Sequence, residues 1–117
     1  MLGSAGGGRD KWKRPEMGKI ASKHCDQIIL TNEDPYDEDP EKIINDIKKG
    51  TELGQKCEII IDRREAIKKA LSYAKTGDAV IITGKGAEPW IMGPKGEKTR
   101  WDDRETAREE LRALIKK

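Results

Sequence analysis

The sequence predicts an α/β protein, a Rossmann-like three-layer sandwich with a mostly parallel sheet and a C-terminal β-hairpin plus helix. Short apolar runs rich in β-branched residues, at 27–31, 57–61 and 79–83, are typical of strands buried in a parallel sheet. Helical patterns lie between these runs, and the connections are short. Strands that alternate with helices favour parallel pairing through right-handed crossovers.

The first two predicted helices carry local start and stop signals. Pro15 suits the first turn of a helix, where its missing N–H group costs nothing. Asp39 and Pro40 have the residue types of a cap and a first helical residue. Gly50 suits a left-handed turn after the second helix.

The C-terminal half continues the alternation and then changes. Asp62 and Glu65 have capping-box spacing, which predicts a helix that ends near Gly77. The run 79–83 is almost wholly apolar, so we expect a central strand covered on both faces. Residues 90–101 then predict a β-hairpin with a Gly/Pro turn, and a last amphipathic helix follows with Ala107, Leu111, Leu114 and Ile115 on its apolar face.

Composition excludes several classes of protein. The 117 residues suffice for one domain, and a net charge of +2 gives no strong field toward nucleic acid. No apolar stretch reaches the length of a bilayer span, so membrane insertion is not expected. Two isolated cysteines, Cys25 and Cys57, indicate reduced thiols in a cytoplasmic protein, and no cluster of residues has the spacing of metal ligands.

Three polar loops follow the predicted strands, so right-handed crossovers should gather them at one edge of the sheet. The first, 3–14, is rich in glycine and basic residues; the second, 31–40, is acidic; the third, 83–89, has two glycines around Lys85. Together they offer carboxylates, backbone amides and guanidinium groups. Such a mixed surface suits a zwitterion such as an amino acid.

The acidic loop 31–40 contains more charge and rigidity than a connection needs. It holds two prolines, Pro35 and Pro40, and five carboxylates, those of Glu33, Asp34, Asp37, Glu38 and Asp39. The prolines restrict their own backbone and that of the preceding residues. Its composition allows two interpretations: a ligand-binding loop, or a solvated connection that ends in a helix cap.

Six segments in order resemble the C-terminal domain of the Mur ligases, and within that family the members that add the third residue of the peptidoglycan stem peptide. They are Gly-Gly-Gly-Arg-Asp-Lys-Trp-Lys-Arg-Pro-Glu-Met-Gly (6–18), Thr-Asn-Glu-Asp-Pro-Tyr (31–36), Glu-Asp-Pro-Glu-Lys-Ile-Ile-Asn-Asp-Ile (38–47), Asp-Arg-Arg-Glu-Ala-Ile (62–67), Gly-Lys-Gly-Ala-Glu (84–88) and Asp-Asp-Arg-Glu (102–105). The resemblance covers nearly the whole chain.

The resemblance implies an ATP-dependent ligase that adds an amino acid to UDP-N-acetylmuramoyl-L-alanyl-D-glutamate. ATP phosphorylates the carboxylate of that dipeptide, and the incoming amine attacks the acyl phosphate. ATP and Mg²⁺ would be bound mainly by other domains, with Asp10, Lys11 and Lys13 on the phosphate side. The implied amino-acid-binding residues are Arg9, Glu33, Asp34, Pro35, Tyr36, Gly84 and Glu88, and no catalytic residue is expected in this chain.

Two departures from the family's Asp-Asn-Pro-Arg motif concern the substrate. Tyr36 stands at the motif's Arg and Asp34 at its Asn. The resemblance implies that this Arg pairs the distal carboxylate of diaminopimelate, and Tyr cannot form a bidentate ion pair. The sequence therefore predicts lysine or another diamine rather than diaminopimelate as the added amino acid.

The expected domain organisation is a single C-terminal, amino-acid-binding domain over 1–117 that lacks its first strand and helix. On that view the UDP-muramyl dipeptide binds to domains outside this chain, and the isolated residues have no ligase activity. An alternative is a non-catalytic module that keeps the ligase fold and binds a small ligand or a partner.

Overall fold

The computed structural model describes residues 1–3, 11–51, 56–85 and 89–115. A 3₁₀ turn at Pro94–Gly96 connects the last two strands. The helices and strands are α1 (Lys13–His24), β1 (Gln27–Leu30), α2 (Pro40–Lys48), β2 (Lys56–Ile59), α3 (Arg63–Tyr73), β3 (Trp90–Met92), β4 (Lys98–Arg100) and α4 (Asp103–Ile115). This arrangement confirms the predicted α/β class with a parallel pair and a C-terminal hairpin plus helix.

The parallel sheet is built around β1. Strand β1 pairs with β2 in parallel, from Gln27 opposite Lys56 to Leu30 opposite Ile59. On the other side of β1, Leu2 forms a parallel bridge with Leu30. Antiparallel pairing of β3 with β4 forms the separate hairpin.

Helices cover both faces of β1, which gives the three layers. Ile28 and Leu30 form a core with Ile44 and Ile47 of α2. Ile29 points to the opposite face because side chains alternate along a strand. That face meets α3, whose Ala66 and Ile67 are fully buried.

Close backbone contact joins α1 to α2. A Cβ atom on Gly18 of α1 would overlap the carbonyl oxygen of Ile47 and lie 3.1 Å from its carbonyl carbon. A Cβ on Gly50 would overlap the carbonyl oxygen of Pro15 in the same way. Gly50 does not adopt a positive φ, so the predicted left-handed turn is wrong. The need for glycine there comes from the packing of α1.

The run 79–83 is not a strand, which corrects the prediction of a covered central strand. It lies beside the N-terminal residues, where Ile81 O accepts a hydrogen bond from the Met1 amino group and Thr83 N–H donates to Met1 O. Its apolar side chains are incompletely covered, with Ile81 65% exposed and Val80 and Ile82 half-buried. Composition indicated a strand, but burial on both faces requires neighbours that only the tertiary structure can supply.

The predicted helix starts are confirmed, whereas the apolar face of α4 is only partly buried. Asp39 accepts a hydrogen bond from Glu41 N–H, and Asp62 accepts one from Glu65 N–H. In α4 it is Asp103 and Thr106 that are buried, while Leu111 and Ile115 are exposed. Among the described residues, no helix has the length and apolarity that crossing a bilayer requires.

Candidate functional site

The ends of three chain segments meet at one edge of the sheet. A Cβ on Gly3 would lie 2.7 Å from Thr31 O and 3.1 Å from the Cβ of Glu33. The carboxylate of Glu33 in turn lies against Gly84, where an added Cβ would overlap Oε1. The loop that follows β1 therefore touches both of its neighbours, as the expected gathering of loops requires.

Asp34 forms a buried ion pair with Lys85. Lys85 Nζ donates to Asp34 Oδ1 at 2.9 Å and to Oδ2 at 2.8 Å. The backbone N–H of Met92 also donates to Oδ1, at 2.7 Å. The Asp34 carboxylate thus connects the acidic loop to the third loop and to the hairpin, and its charge is balanced inside the protein.

Other carboxylates of the acidic loop also have structural partners. Asp37 accepts a hydrogen bond from Lys95 N–H at the tip of the hairpin. Glu38 forms a bidentate pair with the buried guanidinium of Arg14, and its hydrogen bonds raise the pKa of Arg14. Asp39 caps α2. Much of the charge that made this loop conspicuous therefore fixes its shape.

Tyr36 lies at the turn of the acidic loop. Its φ is +53°, an uncommon backbone conformation for a residue other than glycine. The N–H of Tyr36 donates to Met92 O at 3.1 Å, and Pro35 before it is buried. The hairpin thus holds the backbone of Tyr36, and the Tyr36 side chain is half-buried.

Sequence reasoning missed Arg63, whose side chain is buried beneath the convergent loops. Its Nε and Nη2 atoms donate to Asp103 Oδ1 and Oδ2, both at 2.8 Å. Nη1 donates to Asn32 O at 3.0 Å and Nη2 to Thr83 O at 2.8 Å. The available signal was the Asp-Arg pair at the start of α3, but the sequence does not reveal its partners.

The remaining sequence-predicted residues divide into two groups. Arg9, Asp10 and Glu88 lie outside the described residues, so their predicted roles stay predictions. Lys11 is exposed, and so is Lys13 in the first turn of α1, with its Nζ 5.8 Å from the centre of the Trp12 ring. These two cations can approach an anion from solvent.

A cavity of about 430 Å³ lies elsewhere, at the amino end of β1. It is lined by residues that include Asp26, Gln27, Asp78 and Ile81, and by no sequence-predicted site residue from the part of the chain that the structure describes. The cavity is open beside the exposed run 79–83. Its lining does not bring together the charged groups that the opposite edge of the sheet provides.

The described residues include two cysteines and form no cluster of metal ligands. Over 1–3, 11–51, 56–85 and 89–115, no group of His, Cys, Asp and Glu side chains is arranged to hold a metal ion. Burial raises the pKa of the Cys57 thiol, which disfavours the reactive thiolate. Cys25 is exposed and lies at the other end of β1 from the loops.

A parallel sheet with polar loops at its carboxyl edge defines an α/β domain of the kind that binds ligands at that edge in other proteins. Residues 1–86 match the family model described as "Mur ligase, glutamate ligase domain". The chain belongs to the Mur ligase family. A solved structure of a UDP-N-acetylmuramoyl-L-alanyl-D-glutamate–2,6-diaminopimelate ligase superposes with a TM-score of 0.88 at 38% identity, over 97% of this chain and 23% of the other.

Similar relatives carry the same name as that structure. The ligase of Aquifex aeolicus is 51% identical over 92% of this chain, and that of Synechocystis is 49% identical over 91%. The alignments cover 22% and 21% of those relatives, so the chain spans about a fifth of their length. It matches only their C-terminal part.

The expectation that lysine is preferred over diaminopimelate is contradicted by these relatives, which are named diaminopimelate ligases. The prediction of lysine rested on the side chain of Tyr36 alone. Tyr36 cannot form the ion pair of an arginine, but its hydroxyl can donate one hydrogen bond to a carboxylate. Loss of a single cation therefore does not exclude a substrate with a second carboxylate.

Proposed function

We propose that this chain is the amino-acid-binding C-terminal domain of an ATP-dependent ligase that adds 2,6-diaminopimelate to UDP-N-acetylmuramoyl-L-alanyl-D-glutamate. The observation that carries the proposal is the contact between Glu33 and Gly84, which unites the two loops that the family resemblance assigns to amino-acid binding. The names of the relatives support the choice of diaminopimelate.

The role proposed for the domain is to bind and orient the amine nucleophile. Glu33 lies at the loop junction, where a carboxylate would attract the substrate's ammonium group. Asp34 is paired with Lys85, so its proposed contribution is to hold the loop rather than to contribute unbalanced charge. Arg9 and Glu88 are proposed to bind the substrate's carboxylate and ammonium, on the resemblance alone.

ATP supplies the phosphoryl group that activates the dipeptide's carboxylate when the nucleotide is bound. Lys11 and Lys13 fit a contact with its phosphates, since both are exposed cations at the start of α1. The described residues do not fit an Mg²⁺ site, because their carboxylates form no suitable cluster. We therefore assign the cation to other domains of the ligase. The proposed location is the cytoplasm, where cysteines outside disulfide bonds, such as Cys25 and Cys57, are the expected state.

The proposal is tested by ligation with a ligase that carries this chain as its C-terminal domain. With ATP and UDP-N-acetylmuramoyl-L-alanyl-D-glutamate, we expect phosphate release and a tripeptide product with diaminopimelate. Glu33→Gln should raise the KM for diaminopimelate roughly tenfold, the size of effect that loss of one charge-assisted contact produces. Glu97→Gln is the matched control, since Glu97 is exposed in the hairpin connection.

A second measurement uses the 117-residue chain itself. Titration with diaminopimelate, followed by ¹H–¹⁵N NMR, should shift the amide signals of Glu33 and Gly84. The chain alone should release no phosphate from ATP in the presence of the amino acid. Product formation with another amino acid but not with diaminopimelate would contradict the substrate assignment. Absence of ligation with every amino acid would contradict the ligase function and favour a binding module.

A further inference from the structure

We propose that Arg63 is a positioning residue for the amino-acid site and sets the distance between the loop of Glu33 and the loop of Gly84. This inference rests on the proposed function. Arg63 is the first residue of α3 and only 3% exposed, so its guanidinium lies inside the protein, where solvent does not weaken its hydrogen bonds.

Two of its hydrogen bonds go to the backbone of the site loops. Nη1 donates to the carbonyl of Asn32, the residue before Glu33, and Nη2 donates to the carbonyl of Thr83, the residue before Gly84. A planar guanidinium fixes the directions of its donors. The two carbonyls are therefore held at one separation, immediately upstream of the contact between Glu33 and Gly84.

Asp103 fixes the orientation of the guanidinium. It accepts from Nε and Nη2 of Arg63 and also from the indole N–H of Trp101, at 2.6 Å. Asp103 is 4% exposed at the start of α4, directly after the hairpin. The ion pair thus connects the acidic loop, the third loop and the C-terminal helix through one side chain.

Geometry rather than charge carries this role. Lysine would retain the positive charge of Arg63 but lacks the planar fork that reaches Asp103 and both carbonyls together. The adjacent Arg64 is a matched control, because it also bridges α3 to α4, through Glu109 and Glu110. Arg64 is half-exposed, and none of its described hydrogen bonds goes to the site loops.

The test compares R63K with R64K, in a ligase that carries this chain as its C-terminal domain and in the 117-residue chain. In the ligase, R63K should raise the KM for diaminopimelate roughly ten- to a hundredfold, the scale expected when a binding group is misplaced by about 1 Å. The KM for ATP should change less than twofold. In the chain, R63K should shift the NMR amide signals of Glu33 and Gly84, and R64K should change neither measurement.

The outcomes separate the positioning role from the proposed function. An R63K ligase with an unchanged KM for diaminopimelate overturns the role, even if its melting temperature falls. Equal rises of that KM in R63K and R64K also overturn it. If R63K does not fold, D103N takes its place, because it weakens the bidentate pair and keeps the arginine. A wild-type ligase that is inactive with all amino acids contradicts the proposed function instead.

Discussion

The carboxylate of Glu33 lies against the backbone of Gly84, 51 residues further along the chain. A Cβ on Gly84 would overlap Glu33 Oε1 and lie 2.9 Å from its Cδ. Gly84 also has a φ of +106°, a backbone conformation that residues with a side chain rarely adopt. The third loop can therefore approach the acidic loop this closely only with glycine at position 84.

Gly84→Ala should disrupt amino-acid binding, because Glu33 must move to make room for the methyl group. We expect the Kd for diaminopimelate, measured by titration calorimetry, to rise at least tenfold. Gly77→Ala is the matched control: its φ is +91°, so the backbone strain is similar, but nothing lies within 4 Å of the new atom. Equal losses of affinity in the two variants would contradict the steric explanation.

Lys85→Met should destabilise the chain by about 3 kcal/mol, because it leaves the buried carboxylate of Asp34 without its cation. The side chains of Lys85 and Asp34 are 1% and 12% exposed. Lys49→Met is the control, since Lys49 is 72% exposed in its pair with Asp46 and should contribute less than about 0.5 kcal/mol. Urea unfolding measures both, and similar losses of stability would refute the argument.

Gly18→Ala should also lower the free energy of unfolding. Alanine gains about 1 kcal/mol in helix propensity, but overlap with a backbone carbonyl costs about 1–3 kcal/mol or more. The carbonyl of Ile47 is held within α2, so we expect the overlap to dominate and the net loss to be about 1–2 kcal/mol. Gly93→Ala, whose nearest contact would be 3.7 Å, should change stability by less than about 0.5 kcal/mol. A stabilised Gly18→Ala variant would show that α1 and α2 can move apart at little cost in free energy.

Cys25 should react with iodoacetamide well before Cys57. Cys25 is exposed, whereas Cys57 is half-buried within β2, and this burial raises the pKa of its thiol. The thiolate is the reactive form, so alkylation of Cys57 should accelerate as the pH increases from 7 toward 9. Mass spectrometry of wild type and Cys25→Ser follows each site. Equal rates in the folded chain at pH 7 would contradict the burial of Cys57.

Local signals predicted the elements whose causes are local. Asp39 and Asp62 cap helices through backbone groups two and three residues away. The run 79–83 was predicted wrongly. A composition rich in β-branched residues favours a strand, but it does not provide a neighbouring strand with which to pair. The backbone of this run forms hydrogen bonds with Met1 and with the side chain of Arg63, and Ile81 stays exposed.

The sequence by itself determined the α/β class, the hairpin, the helix caps and the membership of the Mur ligase family. The tertiary structure alone decided which partners the carboxylates of Asp34, Asp37 and Glu38 find. The partners of Asp34 and Arg63 lie 51 and 40 residues away, and hydrogen bonds between such distant residues leave no local periodicity to detect. In the folded chain, the ion pair of Asp34 with Lys85 holds the acidic loop, and the carboxylate of Glu33 lies against Gly84.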